Sequence, residues 1–464
     1  MDAPRSNNRQ GHEESFAPLN QIPNPDNHYL ERVSAVGEQE TVIASADIYS
    51  KQGVLLLRKG TAINRKSFVL LSKHKLAKRV DDSLAVAELI TDRTLFFDAK
   101  RELNNDPLLK VLLPFINNPL ELENCIRHLP LSDVMRTKVS MGKKSSPESY
   151  RHSLRVALGA AMLGFFQGLP QSQCEHLAAA GLFHDLGMLH IDRQYLDPSR
   201  VLNAEEMRFV HSHPVIMYLL LRDSEVYHPH ISVPVLEHHE RRGGNGYPKG
   251  LEQFSSPLSS VLALAEVVVS LSERCSLDHV LEVVKIQQDM FDPATVKALF
   301  SVTTGIKVPP QSVTNNITEA EYLAKIDQFD RIGRGWLALM PEVEAMAERE
   351  PTAHKLLRWM QMLERMLIRT GVDMAHIEQL RDPMFKEYRQ EYVALLNEGL
   401  YHINQIVCAV SHFCVLHPKS LLATNQALST WLADCDRELQ TFWRERQGQE
   451  PKPAPSQITP PATR

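Results

Sequence analysis

Residues 238–248 read HHERRGGNGYP, a tandem pair of histidines followed by a glycine-rich loop, and this string decides the fold assignment. It closes a stretch that is rich in histidine, because ten of the 20 histidines of the chain lie between His152 and His239. Imidazole is the commonest metal ligand in proteins and a frequent proton carrier. The crowding therefore predicts a metal or proton-transfer site in this part of the chain.

Further candidate ligands lie on either side of this string. Glu148 and His152 are four residues apart, so on a helix they share one face and can converge on one ion. His184 and Asp185 are adjacent, and a carboxylate with two oxygens can bridge from one ion to a second. Nitrogen and oxygen ligands without thiolate suit iron, manganese or another borderline divalent ion, and they are poorly suited to a structural zinc site.

Three motifs, HD at 184–185, HP at 213–214 and HHERRGGNGYP at 238–248, together resemble the HD-GYP family. That family is the subgroup of HD phosphohydrolases that hydrolyses cyclic di-GMP. The resemblance covers about residues 146–303, and its central string, HHE followed at a fixed distance by G-x-G-Y-P, is highly specific. It implies an all-helical domain that acts as a metal-dependent phosphodiesterase.

The resemblance also implies a set of metal ligands. One ion would be held by His152, His184, Asp185 and Glu266, and the second by His213, His238, His239 and the bridging Asp185. Glu266 stands where the family has an aspartate, and Glu148 stands where members with three metals have an additional acid. The implied mechanism is attack on phosphorus by a hydroxide that bridges two ions, with Asp185 and His184 as the catalytic residues. Two or three divalent ions, iron or manganese, are the expected cofactors.

The glycine-rich loop is expected to bind the substrate through Arg241, Arg242, Gly246, Tyr247 and Pro248. Guanidinium groups suit contacts to phosphate and guanine. Two alternatives stay open: the arginines could be solvated surface side chains, and the glycines could form a tight turn without a ligand, because glycine is used wherever φ is positive.

Several positions depart from the family pattern. Met188 replaces the lysine of HD-x-G-K, whose ammonium would stabilise the phosphate or the leaving oxygen, and a thioether offers neither charge nor proton. Gly243 replaces the aspartate of HHE-x-x-D-G, and Val269 replaces the second aspartate of the helix after the loop. His190, which is close in sequence, is a candidate partial substitute for the lysine. Losses around metal ligands typically weaken affinity or activity by about 10–100-fold each.

Each candidate ligand also has a purely structural interpretation. Glu148 could complement the dipole at a helix start, and Glu266 could be a buried acid paired to a histidine. The histidines and Asp185 could form a hydrogen-bonded interior network. His211 is expected to be a solvated helix residue, because His213 precedes a proline as the family's ligand does. Three further histidines are expected to be surface or core fillers: His176, His228 and His230.

The expected fold class is mainly α: an all-helical HD-GYP domain preceded by a small α/β module and followed by a helical C-terminal region. The sequence SPE at 146–148 predicts a helix start with a hydroxyl cap, and the apolar segment 258–273 predicts a buried helix. The predicted divisions are a disordered tail over 1–35, the α/β module over 36–90, a helical connector over 91–145, the HD-GYP domain over 146–303, helices over 310–447 and a disordered Pro-rich tail over 448–464.

Composition excludes several function classes. Of the 464 residues 43% are hydrophobic and 23% are charged, which is typical of a globular protein. The net charge of −5 provides no basic field for a nucleic acid polymer. Six scattered cysteines without a CxxC pair predict reduced thiols, and the absence of an apolar leader or an 18-residue apolar run predicts a cytoplasmic protein without membrane insertion.

Two functional hypotheses follow. The retained ligands favour a phosphodiesterase acting on a cyclic dinucleotide, because a protein without catalytic activity has no evident need for so many convergent ligands. Met188, Gly243 and Val269 favour a catalytically degenerate domain that binds a nucleotide or a partner such as a GGDEF-type signalling protein. The regions on either side of the domain are expected to sense an input or to form a homodimer.

Overall fold

The computed structural model describes residues 25–38, 42–86, 88–197, 200, 202, 204–224, 226–273, 277–304, 317–368 and 371–446. The described chain is mainly helical, and its strands are confined to two small antiparallel pairs before residue 87. This confirms the predicted mainly-α fold class. The tail predicted over 448–464 lies outside the described residues.

The N-terminal part combines short strands with two helices. These elements are α1 (Pro25–Gly37), β1 (Val42–Ala44), β2 (Ile48–Tyr49), β3 (Leu55–Leu57), α2 (Arg65–Ser72) and β4 (Leu84–Val86). β1 pairs with β4, and β2 pairs with β3 across the turn at Gly53, whose φ of 80° suits glycine.

Helix α1 is a correction to the predicted disordered tail. Residues 1–24 lie outside the described residues, but the chain is helical from Pro25 onward. Tyr29, Leu30 and Val33 are each 1% exposed, so this helix contributes to the core. The prolines and polar residues of this segment predict a tail, but three of its apolar residues lie on one helical face and are buried.

The next four helices lead into the histidine-rich region. They are α3 (Asp92–Asn105), α4 (Pro107–Leu112), α5 (Pro119–Arg127) and α6 (Asp133–Ser145). Side chains cap each start: Thr91, Asp106, Asn118 and Ser132 accept hydrogen bonds from backbone amides of the first turn.

Eight helices form the central domain. They are α7 (Pro147–Phe166), α8 (Gln171–Phe183), α9 (Ala204–Val210), α10 (His213–Asp223), α11 (Pro229–Glu237), α12 (Pro257–Ser272), α13 (Leu277–Ile286) and α14 (Pro293–Thr303). The predicted buried helix is α12, in which eleven residues are buried. Ser146 occupies the N-cap of α7 as predicted, but its hydroxyl accepts no cap hydrogen bond.

The C-terminal helices have a second hydrophobic core. They are α15 (Glu319–Ala347), α16 (Pro351–Ile368), α17 (Arg389–Leu416), α18 (Leu421–Thr424) and α19 (Gln426–Arg446). Phe329, Trp336 and Leu400 are fully buried at its centre. This unit contacts the glycine-rich loop, because Trp359 Nε1 donates to the Gly243 carbonyl at 3.1 Å and Arg358 pairs with Glu252 at 2.8 Å.

No helix in the described ranges is both long and apolar enough to cross a bilayer. The five cysteines that the structure describes are free thiols, and burial raises the pKa of Cys125, Cys174 and Cys435. These three therefore behave as small apolar core residues, as their scattered positions predicted.

Helices α7 and α8 approach closely at Gly181. A Cβ at this position would lie 2.6 Å from Ala157 Cα and 2.7 Å from Ala157 N, so a larger residue would push the two backbones apart. This contact holds His184, at the end of α8, near His152 on α7.

We expect Gly181→Ala to lower the free energy of unfolding by about 1–3 kcal/mol, because the added methyl group overpacks two backbones. Urea denaturation followed by circular dichroism would measure the change. Gly142→Ala is the matched control: its Cβ would make only an ordinary contact, 3.4 Å from Leu186 Cδ2. Because alanine favours a helix over glycine, this control should be neutral or stabilising. Equal stability of the two variants would contradict the proposed close contact.

Candidate metal centre

Five helices bring the predicted ligands together. His152 lies in the second turn of α7, Glu266 lies in the middle of α12, and His213 is the first residue of α10. His184 and His238 are the C-caps of α8 and α11, so each is followed by the chain turning away from its helix. The ends of α8 and α11 thus present the HD and HH motifs to the same buried space.

The ligand atoms form two groups, and within each group all atoms lie within 4.8 Å of one another. One group contains His152, His184 and Glu266, and the other contains Asp185, His213, His238 and His239. This is the division between two ions that the resemblance implied.

Asp185 faces both groups. Its Oδ2 is 3.3 Å from His184 Nε2, while its Oδ1 is 3.2 Å from His213 Nε2 and 3.8 Å from His238 Nε2. In the first group Glu266 Oε2 is 3.0 Å from His152 Nε2 and 3.3 Å from His184 Nε2. A carboxylate with one oxygen towards each group has the geometry of a bridging ligand.

Backbone carbonyls fix the orientation of three imidazoles. His184 Nδ1 donates to Gly181 O, His213 Nδ1 donates to Val210 O, and His238 Nδ1 donates to Val235 O, each at 2.7 Å. Since one ring nitrogen of a neutral imidazole carries the proton, Nε2 of each ring is left as an acceptor. In the neutral state of the rings, which metal binding requires, all three Nε2 lone pairs point into the centre, as in metal-ligating histidines.

The arrangement of buried nitrogen and oxygen atoms in the centre fits a metal ion. His184 Nε2 and Asp185 Oδ1 have no hydrogen-bond partner among the described residues, and both are buried. His213 Nε2 lies 3.2 Å from His238 Nε2, although both atoms are acceptors when Nδ1 carries the proton. Unsatisfied buried acceptors are costly, and a divalent cation satisfies imidazole nitrogens and carboxylate oxygens together.

Burial and charge act in opposite directions on the ionisable groups here. Burial lowers the pKa of His184, but Asp185 and Glu266 outweigh it and raise this pKa to about 10. Burial raises the pKa of Glu266, but His152 and His184 bring it well below its usual value. Burial lowers the pKa of His238 to about 3, and neighbouring histidines add to the shift. The ionised carboxylates therefore attract positive charge, which can be protons on imidazoles or metal ions.

A carboxylate that sequence reasoning missed supports His152. Glu273 Oε1 lies 3.0 Å from His152 Nδ1 and also 3.0 Å from Arg155 Nη1. Arg155 Nε is 2.9 Å from Glu102 Oε2 on α3. A carboxylate on the far ring nitrogen orients a ligating imidazole and raises its basicity. Only the spacing of Glu273, seven residues after Glu266 and thus on one helical face, could have signalled it.

Glu148 is not brought to the centre. Its side chain is 81% exposed and pairs with Arg151 on the same helix, which lowers the pKa of the Glu148 carboxyl. It belongs to neither ligand group. The structure therefore favours the role of a first-turn acid over the predicted third-metal ligand.

Glu240 anchors the glycine-rich loop. Its buried carboxylate accepts backbone N–H bonds from Lys249, Gly250 and Leu251 at 2.6–3.2 Å. Gly246 passes so close to this segment that a Cβ would lie 2.4 Å from Glu240 Cα. The loop is therefore a fixed element, and its conformation depends on the third residue of HHE.

The predicted substrate residues have mixed surroundings. Tyr247 stacks on His239 with ring centroids 4.6 Å apart and on His211 at 3.8 Å, so this ring borders the centre; Pro248 follows it through a cis peptide bond. Arg241 Nη1 donates to the carbonyls of His238 and Glu240, and Arg242 Nη1 donates to the Phe291 carbonyl. Neither arginine is the freely solvated side chain of the alternative interpretation, because the backbone holds both.

Two predictions about histidines are wrong. His211 is not solvated: it stacks on Tyr247, and burial lowers its pKa to about 3. His190 does not replace the missing lysine, because its Nε2 lies 2.8 Å from the fully buried Lys138 Nζ and its ring stacks on Tyr29. His190 is engaged in the packing of α1 and α6.

The positions that depart from the family pattern are apolar or turn positions here. Met188 is partly buried against the core, and its N–H donates to the Asp185 carbonyl at 2.9 Å. Val269 is 1% exposed. Gly243 has a φ of 91°, a conformation that an aspartate would rarely adopt, and its carbonyl accepts from Trp359. The contact from α16 therefore occurs where the family has a side chain.

Helix α17 also reaches the loop. Burial raises the pKa of Tyr247, and Tyr401 on α17 adds to this rise. Burial lowers the pKa of Arg241, and Tyr401 opposes that change. The C-terminal helices are thus part of the electrostatic surroundings of the centre.

Comparisons with known proteins identify the same region. Residues 140–277 match the family model of the HD domain. The chain is 25% identical over 158 residues to the cyclic di-GMP phosphodiesterase PdeB of Borreliella burgdorferi, covering 32% of this chain and 41% of that protein. It is 33% identical over 155 residues to the cyclic di-GMP phosphodiesterase response regulator RpfG of Xanthomonas campestris, covering 31% and 41%.

A third relative differs in the substrate given by its name. The chain is 25% identical over 248 residues to 3'3'-cGAMP-specific phosphodiesterase 3 of Vibrio cholerae, covering 48% of this chain and 52% of that protein. The chain therefore spans about two fifths to one half of the length of these relatives.

We expect Glu273→Gln to weaken binding of one metal ion by about 10–100-fold, because the amide holds His152 less firmly and adds no basicity. Elemental analysis after dialysis against limiting Mn²⁺ would measure the loss. Glu148→Gln is the matched control on α7 and should leave metal content unchanged. A loss of metal in Glu148→Gln would restore the third-ion hypothesis.

Metal binding at pH 7 should release protons. His184, whose pKa is raised to about 10, holds a proton at pH 7 that a metal ion must displace, so metal affinity should rise with pH. Titration calorimetry in two buffers of different ionisation enthalpy measures the number of protons released. Equal heats in both buffers would contradict a protonated metal-free centre.

Proposed function

We propose that the chain is a metal-dependent phosphodiesterase of the HD-GYP family that hydrolyses cyclic di-GMP or a related cyclic dinucleotide. Its residues 140–277 match the family model of the HD domain. The observation that carries the proposal is the position of Asp185, whose two oxygens face separate groups of imidazole and carboxylate ligands. A purely structural network would pair ring nitrogens as donor and acceptor, but His213 Nε2 and His238 Nε2 lie 3.2 Å apart while both Nδ1 atoms donate to backbone carbonyls.

The proposed ligands form two sets, one for each ion. His152, His184 and Glu266 would hold one ion, and His213, His238 and His239 the other, with Asp185 between them. Bound divalent ions would neutralise charge on the phosphoryl oxygens and make water more acidic. Iron or manganese is the proposed metal, because all seven ligands offer nitrogen or oxygen and none offers sulfur.

The glycine-rich loop would position the substrate. The Tyr247 ring is held against His239 and His211 beside the ligands, where it would border the bound substrate. Arg241 and Arg242 lie in the same loop and would contribute positive charge towards the phosphates. Their hydrogen bonds to backbone carbonyls fix each guanidinium in place before substrate arrives.

The names of the relatives support this substrate class. Two are called cyclic di-GMP phosphodiesterases and one a 3'3'-cGAMP-specific phosphodiesterase, so a cyclic dinucleotide is proposed and its two bases are left to the assay. A GGDEF-type partner and a homodimer remain predictions.

The test is hydrolysis of cyclic di-GMP and of 3'3'-cGAMP by chain loaded anaerobically with Fe²⁺ or Mn²⁺, with products separated by chromatography. We expect Asp185→Asn to lower kcat by about 100-fold or more, because the amide cannot bridge two cations. His74→Ala, an exposed histidine outside the centre, is the control and should retain full activity. Intact substrates after incubation with fully loaded wild type would refute the proposal.

A second variant tests the cost of the missing lysine. Met188→Lys should raise kcat by about tenfold or more, because an ammonium beside the Asp185 turn would stabilise charge on the leaving oxygen. Met188→Leu keeps the apolar contact and should leave kcat unchanged. If wild type is inactive and Met188→Lys is active, the chain is a degenerate member that has lost the lysine's contribution.

A further inference from the structure

A second cluster of histidines lies outside the metal centre. His176 is in α8, His228 is the N-cap of α11, and His230 follows one residue into that helix. One ring nitrogen from each lies within 4.8 Å of the others. The ring centroids are 5.2 Å apart for His176 and His228, 5.5 Å for His176 and His230, and 4.4 Å for His228 and His230.

One nitrogen of this cluster lacks a partner. His176 Nδ1 is buried and has no hydrogen-bond partner in the part of the chain that the structure describes. A buried polar atom in this state costs free energy unless a ligand satisfies it. A role as surface or core fillers, as predicted for these histidines, does not account for three imidazoles that lie together with one unpaired nitrogen.

We propose that His176, His228 and His230 form a second metal site, separate from the centre around Asp185, which binds Zn²⁺ through three imidazoles and leaves a fourth position open. Zn²⁺ accepts three protein ligands with water in the fourth position, at Zn–N distances of about 2.0–2.1 Å. Four ligands at those distances lie about 3.4 Å apart in a tetrahedron, so nitrogens within 4.8 Å need only small side-chain movements.

Two local electrostatic effects act on an ion at this position. The first turn of α11 carries partial positive charge from its unpaired amides, which opposes a cation. The negative charge of Glu175, which neighbours His176 in α8, opposes that effect. His228 is exposed, and its Nδ1 accepts the His230 N–H at 3.1 Å. If His228 Nδ1 coordinated the ion, the ion would replace the hydrogen bond from the His230 N–H.

The cluster lies on the two helices, α8 and α11, that also carry ligands of the metal centre. His176 precedes His184 by eight residues in α8, and His230 precedes His238 by eight residues in α11. Eight helical residues span about 12 Å. An ion held by the cluster would therefore join the same two helices that present the HD and HH motifs, about 12 Å from the centre along each of them. The site would fix the relative position of α8 and α11.

The test uses the full chain carrying His184→Ala, Asp185→Ala, His213→Ala and His239→Ala, so that neither ligand group of the centre keeps more than two of its ligands. Competition with a chromophoric chelator measures the number and affinity of the remaining sites. We expect one Zn²⁺ equivalent to remain, and we expect His228→Asn in this background to weaken it by at least tenfold. Asparagine is chosen because it preserves the N-cap while removing the imidazole. His74→Ala in the same background is the control and should bind as the parent does.

A second measurement guards against a variant that binds poorly because it is misfolded. Zinc-edge X-ray absorption of the parent background should show three imidazole ligands, and it requires no substitution in the cluster. Unchanged Zn²⁺ affinity in both His228→Asn and His176→Ala, or a zinc environment without imidazole, would overturn the proposal. Because these measurements are made without an active centre, their failure leaves the proposed hydrolysis untouched.

Discussion

Everything at the metal centre depends on three hydrogen bonds from imidazole Nδ1 atoms to carbonyls three residues earlier in the chain. Those of His184, His213 and His238 each measure 2.7 Å, and each decides which nitrogen of its ring carries the proton. Because these histidines stand at helix ends, the accepting carbonyls are ones that the helix or the preceding turn leaves available. The protein thus uses the unsatisfied ends of its helices to orient a buried group of imidazole nitrogens for a cation.

The rest of the structure holds these helix ends in position relative to one another. The close approach of α7 and α8 sets the distance between His152 and His184. The Glu240 carboxylate fixes the loop that follows His238 and His239. The C-terminal helices contact the same loop through Trp359, at a position where the backbone has a positive φ and no side chain. Local backbone hydrogen bonds, and not long flexible side chains, therefore determine the shape of the centre.

The sequence predicted which imidazoles and carboxylates the fold brings together, because HD, HP and HHE…GYP are short strings that can be recognised without knowledge of their surroundings. The mainly-α class was equally accessible. Glu273 and Arg155 were missed because their partners are 53 to 121 residues away, and single acids or bases in helices carry no local signal of such pairing. For Glu148, the spacing on the helix indicates that its side chain shares a face with His152, but it does not indicate which residues that side chain contacts.

The connection from His152 through Glu273 and Arg155 to Glu102 has a consequence for what counts as the domain. Glu102 belongs to α3, well before the first residue that any motif marks. Arg155 also lies 3.5 Å from Asp106, so two of its three carboxylate partners come from that earlier region. A fragment cut at the motif boundary would leave this guanidinium with one counter-ion beside a metal ligand. The region of sequence similarity is thus smaller than the region that supplies counter-ions to Arg155. The larger region determines where the chain can be divided without leaving buried charges unpaired.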